Sequence, residues 1–237
     1  MHGTIGVLST HKNKSELSLS FMGANPVSIM IHDAPAPPQQ ARSRATRKKL
    51  LNACVDCLCC VGFSNTTTTM IAKKAGVSQG ALFKHFASKP QLIAATTQHL
   101  FTKLFDEFRE AFSIDNSHDD VISSVLPALW AVFLKPELYV VVELYIAARI
   151  DDSLREALVP VTAQHREHLL EEARRLFPVS AAKNPRFDVA VDAIMATMQG
   201  AAISAVTIND PPRVARFTQF LEHVCRRELT PHLLVES

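Results

Sequence analysis

The sequence predicts an all-α protein. Only 7 of its 237 residues are glycine, and no Gly-rich phosphate loop is present. Such loops need glycine for tight turns and close backbone approach, so nucleotide-dependent catalysis is disfavoured. Strand-like alternation is rare, while Ala, Leu, Glu, Arg and Val recur at helical spacing.

The elements follow in order. Residues 1–40 read as a disordered tail, rich in Ser, Asn, Gly and His and ending in "DAPAPPQQ". The Pro cluster favours an extended linker. A helix pattern begins near Ser43, with Leu50, Leu51, Cys54, Cys57, Leu58 and Val61 on one apolar face. Gly62 stops it. Thr67 N-caps a short helix, Gly76 supplies a turn with positive φ, and Ser78 N-caps a helix from Gln79 to about Phe86. Ser88 and Gln91 form a capping-box pattern for a helix running to about Phe112. Its buried side carries Leu92, Leu100, Leu104, Phe105, Phe108 and Phe112. Further helices are expected near 118–134, 137–149, 152–177, 185–208 and 211–229. Asp151 and Asp152 cap the third of these and Pro160 should kink it. Asn184-Pro185 and Asp210-Pro211 each read as an N-cap followed by Pro at the first helical position.

Charge divides the chain. The total is +2, yet Gln39 to Pro90 holds nine Lys/Arg against one acid, Asp56, a net of +8. Residues 1–38 are neutral, which leaves −6 for 91–237. Phosphate neutralisation is the simplest task for the basic segment. Within it, two short helices around a Gly-containing turn form a helix-turn-helix. Its second helix would enter a DNA major groove while the first crosses the backbone.

The stretch "GFSNTTTTMIAKKAGVSQGALFKHFASKPQLI" resembles the N-terminal signature of TetR-type transcriptional regulators. The shared features are Gly62-Phe63, Thr66-Thr67, Ile71-Ala72, Ala75-Gly76-Val77-Ser78, Gly80, Phe83, His85-Phe86, Lys89 and Leu92. The likeness covers about 50 residues in order and spacing. It implies an N-terminal three-helix DNA-binding domain (41–88) and a C-terminal helical domain for effector binding and dimerisation (89–237). It also implies a DNA-contacting set: Thr67, Thr68, Thr69, Ser78, Gln79, Gly80, Ala81, Phe83, Lys84, His85 and Lys89. Two departures stand out. Phe83 replaces a usual Tyr, removing a hydroxyl that could meet phosphate. Cys60-Val61 replaces usual charged residues, leaving an apolar patch.

Chemistry refines these assignments. Threonine hydroxyls serve as phosphate donors. Gln79 suits adenine and Lys84 suits guanine or phosphate. Lys89 stands beside helix-terminal amides, a favourable place for phosphate. Cys54 and Cys57 lie on the apolar face and read as small core hydrophobes, not as zinc ligands, which would need about two more partners. Cys60 is expected to be exposed. His165, His168 and Glu172 share a helix face, more simply a solvated one than a metal site. No cofactor or metal is expected.

For the C-terminal part, Trp130, Phe133, Tyr139, Glu143, Tyr145, Met195, Met198 and Gln199 are candidate ligand contacts. Glu143 inside "YVVVELYI" is the polar exception in an apolar stretch. Ile194, Met198, Ala201, Ala205, Phe217, Phe220, Leu221 and Val224 are candidates for a two-fold dimer interface. No secretory signal or membrane-length apolar run is evident, so a reducing, cytoplasmic setting with free thiols is expected. The functional expectation is a homodimeric repressor released from an operator by a small, largely apolar effector. The rival is a helical carrier or enzyme for an apolar ligand, with an incidental basic region. No nucleophile–base arrangement supports the enzyme.

Overall fold

The computed structural model describes residues 38–114, 120–208 and 210–230. The described residues contain ten α-helices and no strand. Residues from Arg44 onward cluster as one compact unit, separate from those before it. The expected tail lies outside the described residues up to residue 37. Residues 38–40, expected in that tail, instead open the first helix. Proline is tolerated in a first helical turn because that N–H has no intrahelical partner.

Helix α1 spans Pro38–Asn65 and breaks at Gly62, whose φ 74 and ψ 171 lie where only glycine is comfortable. Helices α2 (Thr68–Ala75) and α3 (Gln79–His85) follow as read from the sequence. The Thr67 side chain accepts from the Met70 amide, and the Ser78 side chain from that of Ala81. Gly76 takes the left-handed conformation (φ 69, ψ 34) between them. Helix α4 runs Lys89–Ile114, with Ser88 Oγ accepting from the Gln91 amide at 3.3 Å. The reciprocal bond goes one residue further back than a standard capping box, to the Ala87 amide.

Beyond lie α5 (Val121–Phe133), α6 (Pro136–Ala148), α7 (Asp152–Leu176), α8 (Pro178–Lys183), α9 (Phe187–Ala205) and α10 (Pro211–Leu229). Asp151 and Asp210 cap α7 and α10 as expected. Asn184 does not N-cap α9. It ends α8, a six-residue helix not expected from sequence, and its amide donates to the Glu228 carbonyl. Its Oδ1 accepts from the Arg186 amide, so Asn184-Pro185 is a connecting turn, and α9 starts at Phe187. No single described helix is long and apolar enough to cross a membrane. Only α5 and α6 pass together, as a pair bent by 66°.

One core cluster joins α1, α2, α3 and the first half of α4 to α6 and the start of α7. Leu50, Leu58, Ile71, Leu82, Leu92 and Ile93 are fully buried there. Each stabilises the fold by roughly 1.5–3 kcal/mol relative to exposure. Cys54 and Cys57 belong to this core. Burial pushes the Cys54 thiol up to about 12, so it stays protonated. Val61, expected on the buried face, is exposed, because Gly62 ends the helix before that face can be covered. A second cluster joins α5, α9 and α10, with Leu170 of α7. Helix α4 packs along α7 and α5, linking the two regions.

A Cβ at Gly62 would stand 2.9 Å from Glu143 Oε1, whereas one at Gly76 meets nothing within 4 Å. Gly62→Ala should therefore destabilise by about 1–3 kcal/mol from backbone strain, with the clash in addition. Gly76→Ala should cost about 1 kcal/mol. Thermal unfolding of both variants checks the order.

Candidate nucleic-acid interface and ligand cavity

The predicted contacts of the helix-turn-helix mostly reach solvent. Thr67, Thr69, Ser78, Gln79, Gly80, Phe83 and Lys84 are exposed, and Thr68, Ala81, His85 and Lys89 are half-buried. Gln79 Nε2 donates to Thr68 Oγ1 at 3.3 Å, bracing α3 against α2. Phe83 presents an aromatic ring, 44% exposed, where most large apolar side chains of the motif are buried. Lys74 is partly neutralised by Asp56 at 3.2 Å. Arg47 lies over the Phe86 ring at 5.2 Å.

Lys89 packs on the turn that leads into the motif. Its Nζ sits 4.5 Å from the centre of the Phe63 ring and within 3.5 Å of the Phe63 carbonyl oxygen. The turn that Lys89 touches is held from two more sides. Thr66 Oγ1 donates to the Gly62 carbonyl at 2.6 Å, and the Phe63 amide donates to Glu143 Oε1 at 2.8 Å. The entry to the helix-turn-helix is thus fastened to α4 and α6.

A cavity of about 270 Å³ lies between α4, α5, α6, α7, α9 and α10. Four of the eight candidate ligand residues line it: Phe133, Tyr145, Met195 and Gln199. The other four do not. Glu143 serves the joint just described. Tyr139 donates its hydroxyl to the Ala202 carbonyl at 3.3 Å. Trp130 and Met198 line a separate groove beside α10, where Trp130 packs against Phe217. The sequence places all four on candidate core helices, with Glu143 facing either solvent or a ligand, but helical spacing cannot say which interior a side chain meets.

Sequence reasoning missed the aromatic wall of Phe101, Phe105 and Phe108 as cavity-facing, and the place of His165 beside it. The His165 ring stacks on Phe101 with centroids 3.7 Å apart and planes 5° from parallel. Burial pulls its pKa down to about 4, leaving a neutral imidazole at the cavity wall. Glu172, also lining the cavity, is buried and held by Arg109 at 2.8 Å and Arg175 at 2.5 Å. Those arginines hold its carboxyl below the ordinary range. Among the described residues no group of three or more His, Cys, Asp or Glu could hold a metal.

The dimer stripe divides as well. Ile194, Met198 and Leu221 are buried in the chain's own core, so they do not form an outward face. Phe220 is 67% exposed, and Ala201, Ala205, Phe217 and Val224 are half-buried. Val189, Ile203 and Val206 add exposed apolar surface along α9 and its end. Both Cys59 and Cys60 are exposed.

His165 makes stability pH-dependent. Its folded pKa is below the ordinary value, so the unfolded chain binds the proton first. Stability should fall as pH drops from about 6.5 towards about 4. His165→Phe should lose less over that range, by on the order of 1–3 kcal/mol. Urea unfolding at pH 7 and pH 4.5 measures the difference.

Residues 50–96 match the family model described as bacterial regulatory proteins, tetR family. An uncharacterised HTH-type transcriptional regulator of Mycobacterium tuberculosis is 30% identical over 176 residues, covering 74% of this chain and 90% of that protein. The regulator CymR of Pseudomonas putida is 29% identical over 128 residues, 54% of this chain and 63% of its own length. A crystal structure of a TetR-family regulator from Rhodococcus superposes with a TM-score of 0.61 at 17% identity, covering 79% of this chain and all of that one.

Proposed function

The chain belongs to the TetR family of bacterial DNA-binding transcriptional regulators, and on that premise we propose that it is a homodimeric repressor released from its operator by a small, largely apolar effector. Membership of a family of regulators sets aside the rival carrier or enzyme. In this reading residues 41–88 bind DNA, and 89–237 hold the effector and dimerise. The dimer face is the outward surface of α9 and α10 around Phe220 and Val224, with Ala201, Ala205 and Phe217 at its edge. A two-fold axis there would set two reading helices about 34–36 Å apart, the spacing of successive major grooves.

The observation that carries the effector reading is the double duty of α6. Leu138, Val141 and Tyr145 line the cavity. Glu143, between the last two, accepts the Phe63 amide at the entry to the helix-turn-helix. A ligand that shifts α6 also shifts that acceptor, and with it the placement of α2 and α3. Lys89 and Phe63 form the other anchor of the same turn, so Lys89 both steadies the motif and offers charge to phosphate.

Three outcomes test this. With DNA from upstream of its own gene, Lys84→Ala should weaken binding, and the slope of log affinity against log salt should shrink by about one. Unchanged affinity and slope in a mobility-shift titration would remove Lys84 from the interface. Phe220→Glu combined with Val224→Glu should give a folded monomer by sedimentation, with much weaker operator binding. Glu143→Leu should still bind effector while the loss of DNA binding on effector addition shrinks about tenfold, consistent with removing one coupling hydrogen bond. Full effector response in that variant would place the coupling elsewhere.

A further inference from the structure

The cavity has a polar end and an apolar end, and ion pairs fix which is which. Gln98 meets Gln164, Phe101 meets His165 and Arg109 meets Glu172, so α4 and α7 advance together. Arg166 meets Asp192 while Arg174 meets Asp188, so α9 runs back along α7. Gln199, seven residues past Asp192, therefore lies towards Thr162 and His165. Tyr145 lies at that end too, because α6 turns directly into α7 there. At the opposite end are Leu176, Phe177, Cys225 and Leu229, with no charged side chain in the lining beyond Glu172. From Thr162 to Leu176 the lining spans roughly 20 Å of helix.

The charged groups of the lining are already satisfied. Arg166 is held by Asp192 through contacts of 2.6 to 3.1 Å and by Glu167 at 3.3 Å. Glu172 is held by two arginines. A cationic ligand would have to draw Glu172 from both. An anionic one would have to draw Arg166 from Asp192. Glu172 is buried, so drawing it from its arginines is the costlier displacement, whereas Arg166 and Asp192 are exposed and their pair weighs less. The hydrogen-bonding groups of Tyr145, His165 and Gln199 have, by contrast, no partner among the described residues. They are neutral, and Thr162 beside them retains acceptor capacity after its hydroxyl donates to the Val159 carbonyl. The same is true of Cys225 at the far end, whose thiol burial pushes up to about 12.

We infer that the effector is an uncharged, elongated amphiphile: one hydroxyl, carbonyl or amide head at Tyr145, Thr162, His165 and Gln199, and an apolar chain or ring system reaching towards Phe177 and Leu229. This rests on the reading of the cavity as an effector site. The head then lies at the end of the cavity nearest Glu143, where its contacts bear on the turn of the helix-turn-helix.

Calorimetric titration of the full chain at pH 7 with a matched ten-carbon series tests the class. 1-Decanol should bind at least tenfold more tightly than decanoate or decyltrimethylammonium. Gln199→Leu and, separately, His165→Phe should each weaken 1-decanol about fivefold or more. Ala173→Phe, which narrows the apolar end, should weaken 1-decanol while leaving 1-hexanol within twofold. Charged members binding within threefold of 1-decanol would overturn the neutral-head class while leaving the cavity as the ligand site. Equal loss of hexanol and decanol in Ala173→Phe would overturn the orientation. No saturable binding by any member would overturn the effector site itself, and this inference with it.

Discussion

The Phe63 amide donating to Glu143 is the polar contact that ties the entry of the helix-turn-helix to α6. The chain kinks at Gly62 before α2, and the glycine makes this possible by adopting a backbone conformation unfavourable to other residues. The glycine itself brings no side chain to hold the turn. It is fixed from outside by Glu143 of α6 and Lys89 of α4, and from within by the Thr66 hydroxyl. The same closeness that lets Glu143 reach the amide excludes a Cβ at position 62. Glycine and glutamate are therefore one device, although 81 positions separate them.

What was legible in the sequence follows from how local each feature is. The caps at Thr67, Ser78, Asp151 and Asp210, and the left-handed Gly76, depend on neighbours three or four residues away. All stand as read. Helix α8 was not legible, because six residues carry too little periodicity to show against a loop. Asn184 was misread for a related reason: Asn-Pro satisfies the local rule for a helix start, but a distant Glu228 carbonyl competes for its side chain. The site divides likewise. The side chains proposed to meet DNA come from one compact motif, and most of them are exposed. Only half of the candidate ligand residues line the cavity, because an apolar helix with two buried sides does not announce which neighbour each side meets. Glu143 was recognised as anomalous in its apolar stretch. Its partner is a backbone amide, which has no signature in sequence.

Charge shows the same economy of placement. The basic segment carries few acids, so its field can act on phosphate, and even there Asp56 neutralises Lys74. Within the C-terminal helices many of the charges are instead paired among themselves. Arg226 links Asp120 and Glu222 across α5 and α10, Lys103 and Lys135 meet Glu137 and Glu107, and the cavity's own Arg166 and Glu172 are engaged. Exposed pairs of this kind contribute only about 0–1 kcal/mol each. Their larger effect is to remove unpaired charge from the vicinity of an apolar cavity.

The strength of the Phe63–Glu143 contact suits a switch. A hydrogen bond to a charged group contributes about 1.5–3 kcal/mol when partly shielded from water. Allosteric coupling between two ligands is commonly about 1–3 kcal/mol, a 5–150-fold change in affinity. One such bond, made in the DNA-binding arrangement and strained when α6 moves, is therefore sufficient in size to couple cavity and motif. A larger share of the core would be too costly to rearrange, since burying a single leucine already contributes about as much. In the proposed switch the first core cluster stays packed around Leu50, Leu82 and Leu144, and the polar joint beside it carries the difference between the two states.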